Sequence, residues 1–423
     1  MKKKKLIGAV LATALAIGSL AACSNEDKAS TSGDEGNGKK ITFWTPFSGA
    51  DGPRMKNIVE NYNKSQSEYE VNMQIVPQSD YYKTVDVAFS GQKNAPDLLI
   101  MHTDQLTNYV EKNLVKDVSE TVASAGIKQE DYSETAWGAG TVDGKQYAIP
   151  LDIHPLLLYY NKDLFKAAGL DPEKAPVNRD EFLRFAKKLT DKSKGQYGYV
   201  VPTLWPNQFI YPTIFYQNGG EFLKDGKPDY NSPAGVEALT FLADLIHKQK
   251  VSPANVQQDG EVNLFLQGKN AMQFNGPWMM EQWDKAGINY GVAEVPQLGT
   301  EKQAVYANGH NFVIPATVKD KEKLAAINDF LKFAAKNTLE WAKSGQAPAS
   351  KAIYEQNEEF KSMVQQPKVA ASFEYAKFAP RIANWGQISD PLWAEVNLAL
   401  LGKKDPKQAL DDATKKADQI LNK

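Results

Sequence analysis

The sequence predicts an α/β protein of two lobes, and three observations carry that prediction. The chain of 423 residues is longer than one core of ordinary domain size accommodates. Its first part alternates short apolar runs with helical spacing, the pattern of a doubly wound sheet. After "YAIPLDIHPLLLYYNKDLF" (147–165) the pattern changes to longer helices with clear caps, which reads as a second unit.

Taken in order, "ITFWTPF" (41–47) is a β-branched and aromatic run stopped by Pro46, a first buried strand that ends in a loop. Helical spacing follows at Met55, Ile58, Val59 and Tyr62. "YEVNMQIVP" (69–77) alternates as a second strand, and "PDLLIM" (96–101) is continuously apolar, like an interior parallel strand, with a helix over "TDQLTNYVEKNLV" behind it. Loops at 45–48, 78–81 and 102–104 then share the carboxyl edge of the sheet, where ligands of such sheets bind. In the second unit Asn178 or Asp180 caps a helix carrying Phe182, Phe185 and Leu189. Ser232-Pro233 opens another, with Val236, Leu239, Leu242 and Ile246 on one face. "NFVIP" (311–315) returns to strand, a helix with Leu324, Ile327 and Leu331 follows, and Asp405-Pro406 opens a last amphipathic helix. No internal repeat has a solenoid period.

The near balance of 49 basic and 51 acidic residues leaves no field to draw in nucleic acid, so that partner class is set aside. Lys2 to Lys5 and the apolar run Leu6 to Ala21 have the shape of a secretory signal. It runs into Leu20-Ala21-Ala22-Cys23, which resembles the lipobox of bacterial lipoproteins, where the thiol takes a diacylglycerol. Cys23 is the only cysteine, so disulfides and cysteine metal sites are excluded. No later stretch approaches the roughly 18 apolar residues of a membrane span. "SNEDKASTSGDEGNGKK" (24–40) reads as a flexible tether. The expectation is a lipid anchor at the outer face of a cell membrane.

No GxSxG elbow, Walker loop, HExxH or GxGxxG is present. His102, His154, His247 and His310 are widely separated, and no pair has the sequence spacing of metal ligands, so neither metal nor cofactor is expected. What recurs is aromatic residues beside turn breakers, in "FWTPF", "TLWPNQFIYP", "FNGPWMM" and "RIANWGQISDPLW". Aromatic faces and paired hydrogen-bonding groups match the C–H faces and hydroxyl rim of a sugar. Trp44, Trp137, Trp283 and Trp341 read as core, whereas Trp205, Trp278 and Trp385, beside Pro, Gly or Asn, read as displayed.

Three segments resemble the extracellular solute-binding proteins of bacterial ABC importers, in the sugar-binding group that includes the maltose-binding protein. They are "YAIPLDIHPLLLYYNKDLFKAAGL", "LFLQGKNAMQFNGPW" and "PDLLIMHTDQLTNYVEKNLVKDV". The resemblance implies two Rossmann-like α/β lobes joined by a multi-crossing hinge, the type II arrangement, with a solute cleft between them. Crossings are expected near 148–152, 306–311 and 355–365. Residues 1–22 would be the signal peptide and 23–40 the tether. One lobe would be 41–150 plus 310–360 and the other 151–308 plus 361–423. Carried over, the ligand-binding set is Phe47, Asp80, Asp104, Asp152, His154, Trp205, Asn207, Phe209, Trp278, His310, Arg381 and Trp385. Asp104 also fits an N-cap, and His154 stands where the maltose binder has a carboxylate, so a maltodextrin pocket is not implied. The expected function is capture of a carbohydrate, an oligosaccharide given the number of platforms, and its delivery to an ABC permease by a non-catalytic monomer. The alternatives are another small polar solute, such as an opine or a glycerol phosphate ester, a surface glycan-degrading enzyme, and a structural lipoprotein.

Overall fold

The computed structural model describes residues 39–91 and 95–422. The signal, Cys23 and nearly all of the tether lie outside the described residues. In the first sheet Lys40–Thr45 runs parallel to both Glu70–Ile75 and Leu98–His102. His310–Val313 adds antiparallel to Leu98–His102, and Ile149–Pro150 closes the edge. The helix Asp51–Ser65 buries Met55, Ile58, Val59 and Tyr62, the four positions its spacing selects. Lys321–Asn337 packs beside it, Phe330 lying 5.7 Å from Phe43, with Asp320 capping through the amides of Glu322 and Lys323.

The second sheet is antiparallel throughout: Leu157–Asn161 lies between Met272–Asn275 and Tyr290–Glu294. Every residue of the central strand is buried. Asn178, the first of the two cap candidates, accepts the amide of Glu181 to start Arg179–Leu189. Asn207–Gln217 is buried on nearly all sides and packs on Pro233–His247, which in turn packs with Trp385–Leu400 and Pro406–Leu421. No helix among the described residues is long and apolar enough to cross a membrane.

Between these sheets lies a ladder of four short strands: Ala347–Pro348, Asp152–Pro155, Val305–Asn308 and Ala376–Lys377. The chain passes into it from the first sheet after Pro150 and leaves into the second at Leu157. It returns through Val305–Asn308 to His310. The turn at Gly309 is tight, since a Cβ there would lie 2.8 Å from the Asp152 carbonyl oxygen and 3.1 Å from Thr103 Oγ1. Only glycine lets these strands approach so closely.

Candidate functional site

Strand register assembles one wall of a cleft. His310 pairs directly with His102 across the first sheet, and Asn308, two residues earlier, pairs with His154 in the crossing ladder. Three imidazoles from three distant segments therefore meet. Ring centroids lie 4.3 Å apart for His154 and His310, 4.8 Å for His102 and His310, and 5.9 Å for His102 and His154.

Asp152 is the anchor of this cluster, 1% exposed. Its Oδ1 accepts from His154 Nδ1 at 3.0 Å and from the His310 amide at 3.0 Å. Its Oδ2 accepts from His310 Nδ1 at 2.9 Å and from Trp341 Nε1 at 2.8 Å. Burial alone would raise the Asp152 carboxyl, but attraction to His310 and the bonds from His154 and His310 outweigh it. They hold the group well below the usual carboxylate range. Burial first, and then the neighbouring His310, lowers both His102 and His154, which favours their neutral rings. His102 Nδ1 shares a 2.6 Å hydrogen bond with the Tyr82 hydroxyl, which also accepts the His102 amide.

Two other polar groups on this wall have unused atoms. Asp104 Oδ1 is buried without a hydrogen-bond partner, and burial raises its carboxyl. Gln346 is fully buried, and neither its oxygen nor its nitrogen has a partner. A buried polar atom left unpaired costs about 1–3 kcal/mol, so these atoms lie where a ligand would be rewarded for meeting them.

A second, aromatic wall adjoins it, with the Trp278 ring 5.8 Å from His154. Trp205 and Trp278 lie nearly parallel with centroids 6.3 Å apart, and Phe209 meets both edgewise at 5.2 Å and 6.5 Å. Tyr306 continues the wall 5.0 Å from Phe209. The local chain explains Trp278: the Asn275 side chain accepts the Gly276 amide at 2.9 Å and ends the strand. Pro277 opens a short 3₁₀ turn, and the indole folds back over Gly276, where a Cβ would fall 2.0 Å from a ring carbon.

The walls enclose a cavity of about 1120 Å³. It brings together eight of the residues the sequence suggested: Phe47, Asp104, His154, Trp205, Phe209, Trp278, His310 and Trp385. Phe47 and Trp385 are nearly buried, at 1% and 4% exposed, and serve mainly as backing, Phe47 behind His310 and Trp385 against Phe222. Four suggested residues do not line the cavity. Asp152 sits behind the imidazoles. Asn207 is buried in the first turn of its helix, Arg381 donates to the Thr141 carbonyl at 2.8 Å, and exposed Asp80 accepts from Ser79. Asp104 lies within the first turn of Thr103–Glu111, whose N-cap position is His102, so it does not cap that helix. Sequence reasoning missed His102, Tyr82, Tyr306, Asn308, Gln346 and Trp393 in the lining. Of the four tryptophans assigned to the core, Trp137, Trp283 and Trp341 are buried, and Trp44 is half-buried with its Nε1 on Gln74.

Two α/β lobes, a strand ladder crossing between them and a cavity with polar and aromatic walls define the solute-binding class of protein. A profile of bacterial extracellular solute-binding proteins matches residues 48–340, and the chain belongs to that family. It is similar to the galactooligosaccharide-binding protein of Bacillus subtilis (strain 168), 26% identical, with 99% of this chain and 97% of that protein covered. It is equally similar to the sn-glycerol-3-phosphate-binding periplasmic protein UgpB of Escherichia coli (strain K12), 26% identical with 97% of each covered. Among solved structures, an ABC transporter solute-binding protein of Thermotoga lettingae bound with α-D-tagatose superposes with a TM-score of 0.78. It shares 26% identity and covers 90% of this chain and 100% of its own. A Listeria monocytogenes ABC substrate-binding protein in complex with cycloalternan shares the fold, with a TM-score of 0.77, 24% identity, and 90% and 99% covered.

Proposed function

We propose that this chain captures a carbohydrate, an oligosaccharide rather than a single sugar, in the cleft and delivers it to an ABC importer. One observation carries the reading: the stacked indoles of Trp205 and Trp278 line the same cavity as Asp104 and Gln346, whose buried polar atoms lack partners. Aromatic faces receive the C–H surface of a pyranose, and the unpaired atoms receive its hydroxyls. The volume of about 1120 Å³ exceeds the few hundred Å³ that suffice for a small ligand. A galactooligosaccharide binder and a tagatose binder among the relatives support this choice. UgpB makes glycerol phosphate the competing ligand. The lining argues against it, because among the described residues Lys285 is the only lysine or arginine there, set against Asp51, Asp104, Glu281 and Asp390.

The ligand-binding set is proposed as the eight cavity residues above with His102, Asn308 and Gln346, and with Asp152 as support. The lobes are proposed as 41–150 plus 310–360 and 151–308 plus 361–423. Closure of the two around the solute gives contacts that the open state lacks, and a membrane permease reads the closed form. The protein acts as a monomer without turning over its ligand, held at the outer face of the membrane by lipid on Cys23 after removal of residues 1–22.

A saccharide panel scored by melting temperature tests the reading, since a ligand that binds only the folded state raises it. A shift with di- to tetrasaccharides supports the proposal. A shift with sn-glycerol 3-phosphate alone, or new reducing ends after incubation with an oligosaccharide, overturns it. Cys23→Ser should release the protein into the medium, and retention with membranes would remove the anchor from the proposal.

A further inference from the structure

We propose that His102, His154 and His310 form a binding site for a first-row divalent cation, Zn²⁺ or Ni²⁺ in preference to Ca²⁺ or Mg²⁺, on the cleft floor. Each ring offers one nitrogen, and the three nitrogens lie within 4.8 Å of one another. An ion about 2.0–2.1 Å from each would draw them to roughly 3.3 Å, a shift within reach of side-chain rotation. Three protein ligands and one open position make the ligand set of an exchangeable site, and all three histidines line the cavity from which a fourth ligand would come. Imidazole suits zinc, nickel and copper, whereas calcium and magnesium want oxygen ligands.

The second, independent observation is how the rings are held. In all three the Nδ1 is taken by an oxygen: Tyr82 for His102, Asp152 Oδ1 for His154, and Asp152 Oδ2 for His310. Nε2 has no protein hydrogen bond on any of the three among the described residues. A ring whose Nδ1–H is given to a carboxylate presents the Nε2 lone pair, as at His154 and His310, and His102 does the same in the tautomer that gives Nδ1–H to the Tyr82 hydroxyl; such partners orient metal-binding histidines. One carboxylate here orients two of them. Asp152, bonded to two of the rings, has no lysine or arginine partner among the described residues, so its charge is available to a dication held by the imidazoles. His247 has a different role, its Nε2 lying 2.9 Å from the Leu400 carbonyl oxygen.

The proposal does not rest on the saccharide reading, because it is tested without sugar. The full chain carrying Cys23→Ser, so that no thiol competes, is stripped with a chelator and titrated calorimetrically with Zn²⁺, Ni²⁺, Ca²⁺ and Mg²⁺. The expected result is one Zn²⁺ or Ni²⁺ per chain at micromolar or lower dissociation constant, little heat from Ca²⁺ or Mg²⁺, and a higher melting temperature with Zn²⁺. His102→Ala, the least buried of the three positions, should weaken Zn²⁺ binding at least tenfold and abolish the thermal shift. Tyr82→Phe keeps the ring and removes only its hydroxyl partner, and should cost about tenfold, the lower end of the range for such partners. Zn²⁺ binding weaker than about 100 μM in the parent chain, equal response to Ca²⁺, or undiminished affinity in folded His102→Ala would overturn the proposal.

Discussion

The imidazole wall and the aromatic wall line one cleft, yet the lobes behind them treat buried carboxyl groups in opposite ways. Asp152 is buried and ionised, because four donors converge on its two oxygens. Glu261, in the short helix Gly260–Leu266 that packs on the second sheet, is equally buried, but neither oxygen has a partner and burial pushes it up to about 7. Burial therefore does not decide whether a carboxyl stays charged; the supply of donors does. The first wall spends donors to hold charge and direction, while the second offers flat apolar faces that demand neither.

The largest test of this contrast is Asp152→Ala, which leaves two imidazoles and the Trp341 indole nitrogen unpartnered. Urea unfolding should show a loss of about 3–5 kcal/mol, the range for breaking a buried ionic contact. A loss under about 1 kcal/mol would mean that the four bonds contribute little. Next comes Glu261. Its folded value is raised, so between pH 4.5 and 7 the folded state holds a proton that the unfolded state releases. Stability from this group therefore rises as pH falls from 7 toward 4.5, and the full cost of about 3 kcal/mol is present above pH 7. Glu261→Gln should be more stable than the parent at pH 8 and little different at pH 4.5. Identical pH profiles for the two proteins would break the contrast.

Smaller effects probe the walls as binding surfaces. Trp278→Ala should cost about 1 kcal/mol or more of saccharide binding by calorimetry, in line with aromatic contacts; unchanged affinity would remove the platform role. Arg381→Ala should change affinity and stability by less than about 0.5 kcal/mol, since the side chain is exposed and spent on a carbonyl. A loss above 1 kcal/mol in binding would show that it reaches the solute.

Much of the fold was legible because its signals are local. The runs at 41–47, 69–77 and 96–101 became the three parallel strands, and helix spacing named the buried face of Asp51–Ser65. The tryptophan beside Asn-Gly-Pro was legible for the same reason. The histidine cluster was not, because His102 meets His310 only through the pairing of strands about two hundred residues apart. No spacing rule spans that distance. The antiparallel second sheet was equally hidden, since a continuous apolar run such as Leu157–Asn161 does not reveal the direction of its neighbours. Asp80 and Arg381 looked like site residues because they lie in polar loops near aromatic signals, and loops also spend side chains on themselves.

Gly276 gives the aromatic wall an adjustment point outside the cavity lining. The Trp278 ring occupies the volume a side chain at 276 would need. Adding one methyl there would tilt the platform while leaving every contact atom chemically unchanged. Ligand preference in this cleft could thus drift, or be engineered, from behind the surface that does the recognising.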